Sequence, residues 1–102
     1  MRTVQEEIFG PVITIIDYDT VDEAVQIAND SPFGLSGAVF GTDKAAAVAV
    51  ARRLRAGRPH RQQRNRLRLR APYGGFKLSG TGRELGGVEG ILSFTEQRAI
   101  GI

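Results

Sequence analysis

Val12-Ile13-Thr14-Ile15-Ile16, Thr20-Val21-Asp22-Glu23-Ala24-Val25-Gln26-Ile27-Ala28 and Leu35-Ser36-Gly37-Ala38-Val39-Phe40 decide the fold class of this chain. The first run is nearly continuous and β-branched, the texture of a strand covered on both faces. The second opens with Thr-x-x-Glu, in which hydroxyl and carboxylate satisfy the free amides of a helix start. Val21, Ala24, Val25 and Ala28 then mark one helical face, and Asn29-Asp30-Ser31-Pro32 stops it. The third run is a short strand with Gly34 and Gly41 at its edges. Thr42 or Asp43 caps a second helix whose apolar stripe is Ala47, Val50, Ala51 and Leu54, closed by Gly57. The order β-α-β-α predicts an α/β fold with parallel strands.

Downstream the texture changes. Seven of the 13 glycines fall between Gly74 and Gly90, too many for regular structure throughout. The spacing predicts a looped segment, with a short helix near Arg83 to Leu85. Residues 93–102 alternate weakly and read as a terminal strand.

Composition narrows the chemistry. The 102 residues contain no cysteine, which excludes disulfides, thiolate metal sites and thiol catalysis by this chain. The one histidine, His60, cannot form a histidine metal cluster. No catalytic residue and no metal ligand is assigned. The apolar runs are too short to span a bilayer, and no charged-then-apolar leader opens the chain, so a cytoplasmic protein without membrane attachment is expected.

The formal charge of +3 hides an asymmetry. Nine arginines lie between Arg52 and Arg70 with no acidic residue among them. Outside that window five basic residues face eleven acidic ones, a net charge of −6. Such a basic stretch fits a nucleic-acid-binding arm, but it lacks interleaved aromatics and a recognised nucleic-acid fold.

Two motifs remain. Glu6-Glu7-Ile8-Phe9-Gly10-Pro11 is, on residue chemistry alone, a solvated turn entering a strand, with Phe9 in the core. Gly80-Thr81-Gly82-Arg83-Glu84-Leu85-Gly86 is spaced G-x-G-x-x-x-G, which is not the dinucleotide fingerprint. Taken with its neighbours, however, the second motif extends to Pro72-Tyr73-Gly74-Gly75-Phe76-Lys77-Leu78-Ser79-Gly80-Thr81-Gly82-Arg83-Glu84.

These two motifs, in this order and at this spacing, resemble the C-terminal segment of the NAD(P)-dependent aldehyde dehydrogenases. The resemblance runs from Met1 to Ile102 except around residues 58–70. It implies a partial catalytic domain of the aldehyde dehydrogenase-like fold: β-α-β-α with parallel strands, a glycine-rich loop, and residues 93–102 as a strand used in homo-oligomerisation. It also implies NAD or NADP as cofactor, with Glu7 accepting hydrogen bonds from the nicotinamide-ribose hydroxyls and Phe9 packing beside the nicotinamide. A carboxylate suits two adjacent hydroxyls because its two oxygens accept both donors in one plane. The complete enzyme of such a family oxidises an aldehyde to an acid through a cysteine nucleophile. That nucleophile, its general base and most of the cofactor domain are expected upstream of Met1, and the isolated chain is expected to be inactive. A non-catalytic fragment that docks on a relative through an open sheet edge is the other class that fits.

Residues 58–70 break the resemblance. Relatives carry a buried Thr-Val-x-Val-Asn-type strand there, whereas this chain has six arginines in thirteen residues. Unpaired buried charge costs several kcal/mol per ion, order of magnitude, so the block is expected to be exposed and irregular. Three origins stay open: a selected basic arm, surface divergence, or a compensated pair of frameshifts. For the last, CGT CAA CAG CGG encodes Arg61-Gln62-Gln63-Arg64, and the same bases started one later read Val-Asn-Ser-Gly.

Overall fold

In a computed structural model, residues 1–61 and 69–101 are described. The elements in chain order are α1 (Arg2–Gln5), α2 (Val21–Asn29), β1 (Phe33–Gly34), β2 (Ser36–Val39), α3 (Lys44–Ala51), β3 (Arg58–Arg61), β4 (Pro72–Tyr73), β5 (Phe76–Lys77), β6 (Glu84–Leu85) and α4 (Val88–Leu92). β2 and β3 pair in parallel, with Ser36 opposite Arg58 and Val39 opposite Arg61. α3 is their crossover and packs on both strands. The α/β class with parallel strands therefore holds, with the unit β2-α3-β3 at its centre.

Both long helices start where side-chain chemistry dictates. Thr20 Oγ1 accepts from the Glu23 amide at 3.1 Å, while Glu23 reaches back one residue further than a capping box, to the Asp19 amide at 2.8 Å. Of the two candidate caps for α3, Asp43 is the one used, and its Oδ1 accepts from Ala45 and Ala46 at 2.8 and 3.1 Å. The stripe of α3 faces inward, with Ala47 and Ala51 buried and Val50 and Leu54 half-buried, whereas that of α2 is buried only at Val25 and leaves Val21 and Ala28 exposed. Asn29 ties the end of α2 to the segment after α3, donating to the Arg53 carbonyl at 3.0 Å and accepting from the Arg55 amide at 2.7 Å.

Residues 12–16 form no ladder, and Ile13 and Ile15 are 87% and 84% exposed. A strand buried on both faces needs neighbours on both sides, and the described residues supply none. The same reason accounts for residues 93–101, which join no ladder among the described residues and leave Phe94 exposed. Gly57 does not close α3, which ends at Ala51 with Arg52 as its cap. Gly57 instead allows a close approach: a Cβ there would overlap the Gly74 carbonyl. The short helix expected at Arg83 to Leu85 is strand β6, paired antiparallel with β4, and the helix begins later, at Val88.

The largest departure concerns the arginine block. Arg58–Arg61 is an ordered strand in which Arg58, His60 and Arg61 are half-buried. The expectation that all of residues 58–70 would be exposed and irregular fails there; residues 62–68 lie outside the described set, and Leu69 and Arg70 are exposed in a turn. Ladder hydrogen bonds are made by the backbone, so β3 forms whatever its side chains, with Pro59 alone lacking an amide to give, while arginine carries its charge to the rim on an apolar stem. The Arg58 guanidinium lies 5.0 Å from the Tyr73 ring centroid. A guanidinium over a tyrosine face is a favourable place for a cation on a half-buried strand.

The whole is open. Its radius of gyration is 16.9 Å and its extents are 60 × 33 × 26 Å, against about 13 Å for a compact chain of this length. No helix among the described residues is long and apolar enough to cross a membrane.

Candidate functional site

The glycine-rich segment is moored to the α/β unit by side chains that sequence reading left unassigned. Lys77 Nζ donates to the carbonyls of Asn29 and Ser31, at 2.6 and 2.7 Å, at the end of α2. A cation suits that position because the last carbonyls of a helix lack amide partners and carry the negative end of its dipole. Ser79 Oγ accepts from the Gly34 amide at 2.9 Å, and β1 pairs antiparallel with β5. Lys77 itself has φ 54°, held there by these contacts. The signal for this mooring was available in Phe-Lys-Leu-Ser, a cation and a hydroxyl two residues apart, but nothing in the sequence names their partners.

Arg83 does not pair with Glu84. It donates through one Nη1 to the carbonyls of Gly75 and Gly82, at 3.0 and 2.7 Å, and lies 5.1 Å from the Phe76 ring centroid. Arg55 lies 5.8 Å from the same centroid. The role of this loop in the described structure is architectural.

Between the mooring and the N-terminal segment lies a cleft of about 530 Å³ lined by Glu7, Ala28, Ser31, Leu35, Ser36 and Ser79 among others. Glu7 and its neighbour differ sharply. Glu6 is engaged by Arg2, whose Nε and Nη2 donate to its two oxygens at 2.9 and 3.1 Å, and this bond holds the Arg2 guanidinium above its ordinary pKa. Glu7 is exposed, and its carboxylate makes no hydrogen bond or ion pair among the described residues. Phe9 stands 93% exposed beyond the cleft lining. That disposes of the simple turn in which Phe9 would enter the core. The structure thus puts Glu7 on the lining of a cleft and leaves Phe9 exposed to solvent.

A carboxylate without a protein partner among the described residues, in a cleft that Ser31, Ser36 and Ser79 also line, can accept hydrogen bonds from a ligand's hydroxyls. Among the described residues no group of three His, Asp or Glu is placed to hold a metal ion.

Comparison with known proteins gives this arrangement its context. The model of the aldehyde dehydrogenase family matches residues 1–100. A Staphylococcus aureus relative bearing the aldehyde dehydrogenase name is 47% identical over 100 residues, which is 98% of this chain and 21% of the relative. The crystal structure of a Mycobacterium tuberculosis aldehyde dehydrogenase complexed with NAD+ superposes with a TM-score of 0.90 at 44% identity, covering 96% of this chain and 20% of that one. Aldehyde dehydrogenase C of Pseudomonas syringae, in complex with NAD+ and octanal, gives 0.89 at 50% identity, covering 98% and 20%. Betaine aldehyde dehydrogenase of S. aureus in complex with NAD+ gives 0.86 at 48% identity, covering 92% and 18%. The chain spans about a fifth of the length of these relatives. At this identity, and with a family match running from the first residue to the hundredth, the chain belongs to the aldehyde dehydrogenase family.

Proposed function

We propose that this chain contributes the ribose-holding end of the cofactor site to an enzyme that oxidises an aldehyde to a carboxylic acid with NAD(P)+. The observation that carries the reading is the contrast between two adjacent glutamates: Glu6 is consumed by Arg2, while Glu7 presents its carboxylate to the cleft. Two vicinal hydroxyls donating to one carboxylate orient a sugar ring, and a charge-assisted pair of this kind is shorter and stronger than neutral bonds. The exposed Phe9 ring offers an apolar face on which a nicotinamide can lie. NAD(P)+, when bound, supplies the hydride acceptor. Glu7 does no chemistry; it fixes the ribose and thereby the angle at which the nicotinamide meets the substrate.

The thiol that this chemistry needs is absent from these 102 residues, so the chain by itself is assigned no turnover. The tail from residue 93 onward fits a strand added to the sheet of a second copy, since residues 96–101 join no ladder among the described residues and Phe94 is exposed. The aldehyde is the substrate of the complete enzyme, and a cytoplasmic setting suits it.

The test is made in a complete relative carrying this segment. Glu7→Gln should weaken NAD(P)+ binding by roughly ten- to a hundredfold, the worth of hydrogen bonds to a charged acceptor. Glu6→Gln should change it by less than about twofold, because an exposed ion pair contributes little. Equal effects of the two substitutions would refute the assignment.

A further inference from the structure

The arginine block sits where the fold has no use for it. β3 is the second strand of the parallel pair, half-buried under α3, yet it reads Arg-Pro-His-Arg. His60 Nε2 is buried with no hydrogen-bond partner among the described residues. An unsatisfied buried nitrogen of this kind is a cost that a β-branched residue in the same place would not incur. On either side the chain is locally consistent: α3 is capped and striped, and the loop from Pro72 onward is moored by Lys77 and Ser79.

The genetic code connects these facts. Every arginine codon has G in second place. Started one base later, each therefore yields a codon beginning with G, which encodes only Val, Ala, Gly, Asp or Glu. All six arginines of residues 58–70 become small or acidic by this one change. His60 becomes Thr or Ile whichever histidine and arginine codons are used, and both are β-branched. Conversely, a run of small residues in GC-rich DNA, where codons end in C and the next begins with G, reads as arginine when started one base early. One displacement thus accounts for the density of arginine, the absence of acids, and the misfit at His60.

We infer that residues 58–70 are translated one base out of register, between a single-base insertion ahead of Arg58 and a single-base deletion before Pro72. The two changes cancel in length, which is why the moored loop resumes in frame. The strand for which this fold was selected survives in the bases and not in the protein. The ladder of β3 persists because its hydrogen bonds belong to the backbone.

Two measurements test this. The coding DNA of residues 58–71 is read in all three frames and each translation is aligned with the S. aureus and M. tuberculosis relatives. The frame starting one base later should approach the 47% identity of the whole match, and the third base of the Arg61 codon should be T or C, giving Val or Ala. A shifted translation that matches the relatives no better than the arginine reading overturns the inference and leaves a selected basic segment. In the protein, the double variant His60→Thr, Arg61→Val should raise the melting temperature by several degrees and slow exchange of the β2–β3 amides. An unchanged or lowered melting temperature would show that the basic residues suit the strand, and would count against it.

Discussion

Single side chains do much of the local work in this chain, and their costs are open to measurement. Asp43 Oδ1 holds two amides at the start of α3. Asp43→Ala should destabilise the chain by about 0.5–2 kcal/mol, the usual worth of an N-cap, read as a lower denaturant midpoint at unchanged slope. Lys77 bonds two carbonyls at the end of α2 from a backbone with φ 54°. Lys77→Met keeps the stem and removes the charge, and should cost about 1–3 kcal/mol because both carbonyls lose a charged donor. The readout is faster proteolytic cleavage within the glycine-rich loop, while cleavage in α3 stays unchanged. Of these residues the sequence announced Asp43, as one of two candidate caps. It did not announce Lys77 as a clamp, because a cation beside glycines is ambiguous until its acceptors, 46 and 48 residues away, are known.

At the scale of elements, α2, α3 and the strand within Leu35 to Phe40 were legible in the sequence, whereas α1, α4 and the other strands were not. Thr20 and Asp43 hold caps within three residues of themselves, and the stripes through Val25, Ala47 and Ala51 are local periodicities. A strand depends on a partner that can stand anywhere along the chain, and residues 12–16 have the composition of a buried strand without a neighbour to pair with among the described residues. Arg58–Arg61 shows the converse, a strand formed against its side-chain chemistry because β2 offers a ladder. Close backbone approach is the other long-range determinant. Gly57 abuts the Gly74 carbonyl, whereas nothing lies within 4 Å of a Cβ placed on Gly82. Gly57→Ala should therefore cost about 1–3 kcal/mol through overpacking, and Gly82→Ala should be neutral within about half a kcal/mol. Parallel urea melts of the two variants decide it; equal midpoints would mean that β3 and the glycine-rich loop are not held in this contact.

For the molecule as a whole, exposed apolar surface sets the behaviour. Phe9, Ile13, Ile15 and Phe94 are each more than four-fifths exposed, and only three apolar residues among those described are buried. Without a larger core, a chain of this size has little to set against its conformational entropy. The isolated chain should unfold with low cooperativity, bind a hydrophobic dye and associate at micromolar concentration. A sharp, reversible, monomeric transition would contradict this. It should also form no NAD(P)H from aldehydes above background, and thiol-free turnover proportional to added chain would refute the proposed division of chemistry. What the sequence determined by itself was whatever acts over a few residues: the helix caps, the helical faces, the missing thiol, and the two motifs that mark the aldehyde dehydrogenase family. Only the tertiary structure decided which segments pair, that Lys77 and Ser79 moor the loop, and that Glu7 faces the cleft. The physical reason is range. Caps and periodicity are settled by neighbours along the chain, whereas ladders, clefts and close approaches are settled by neighbours in space.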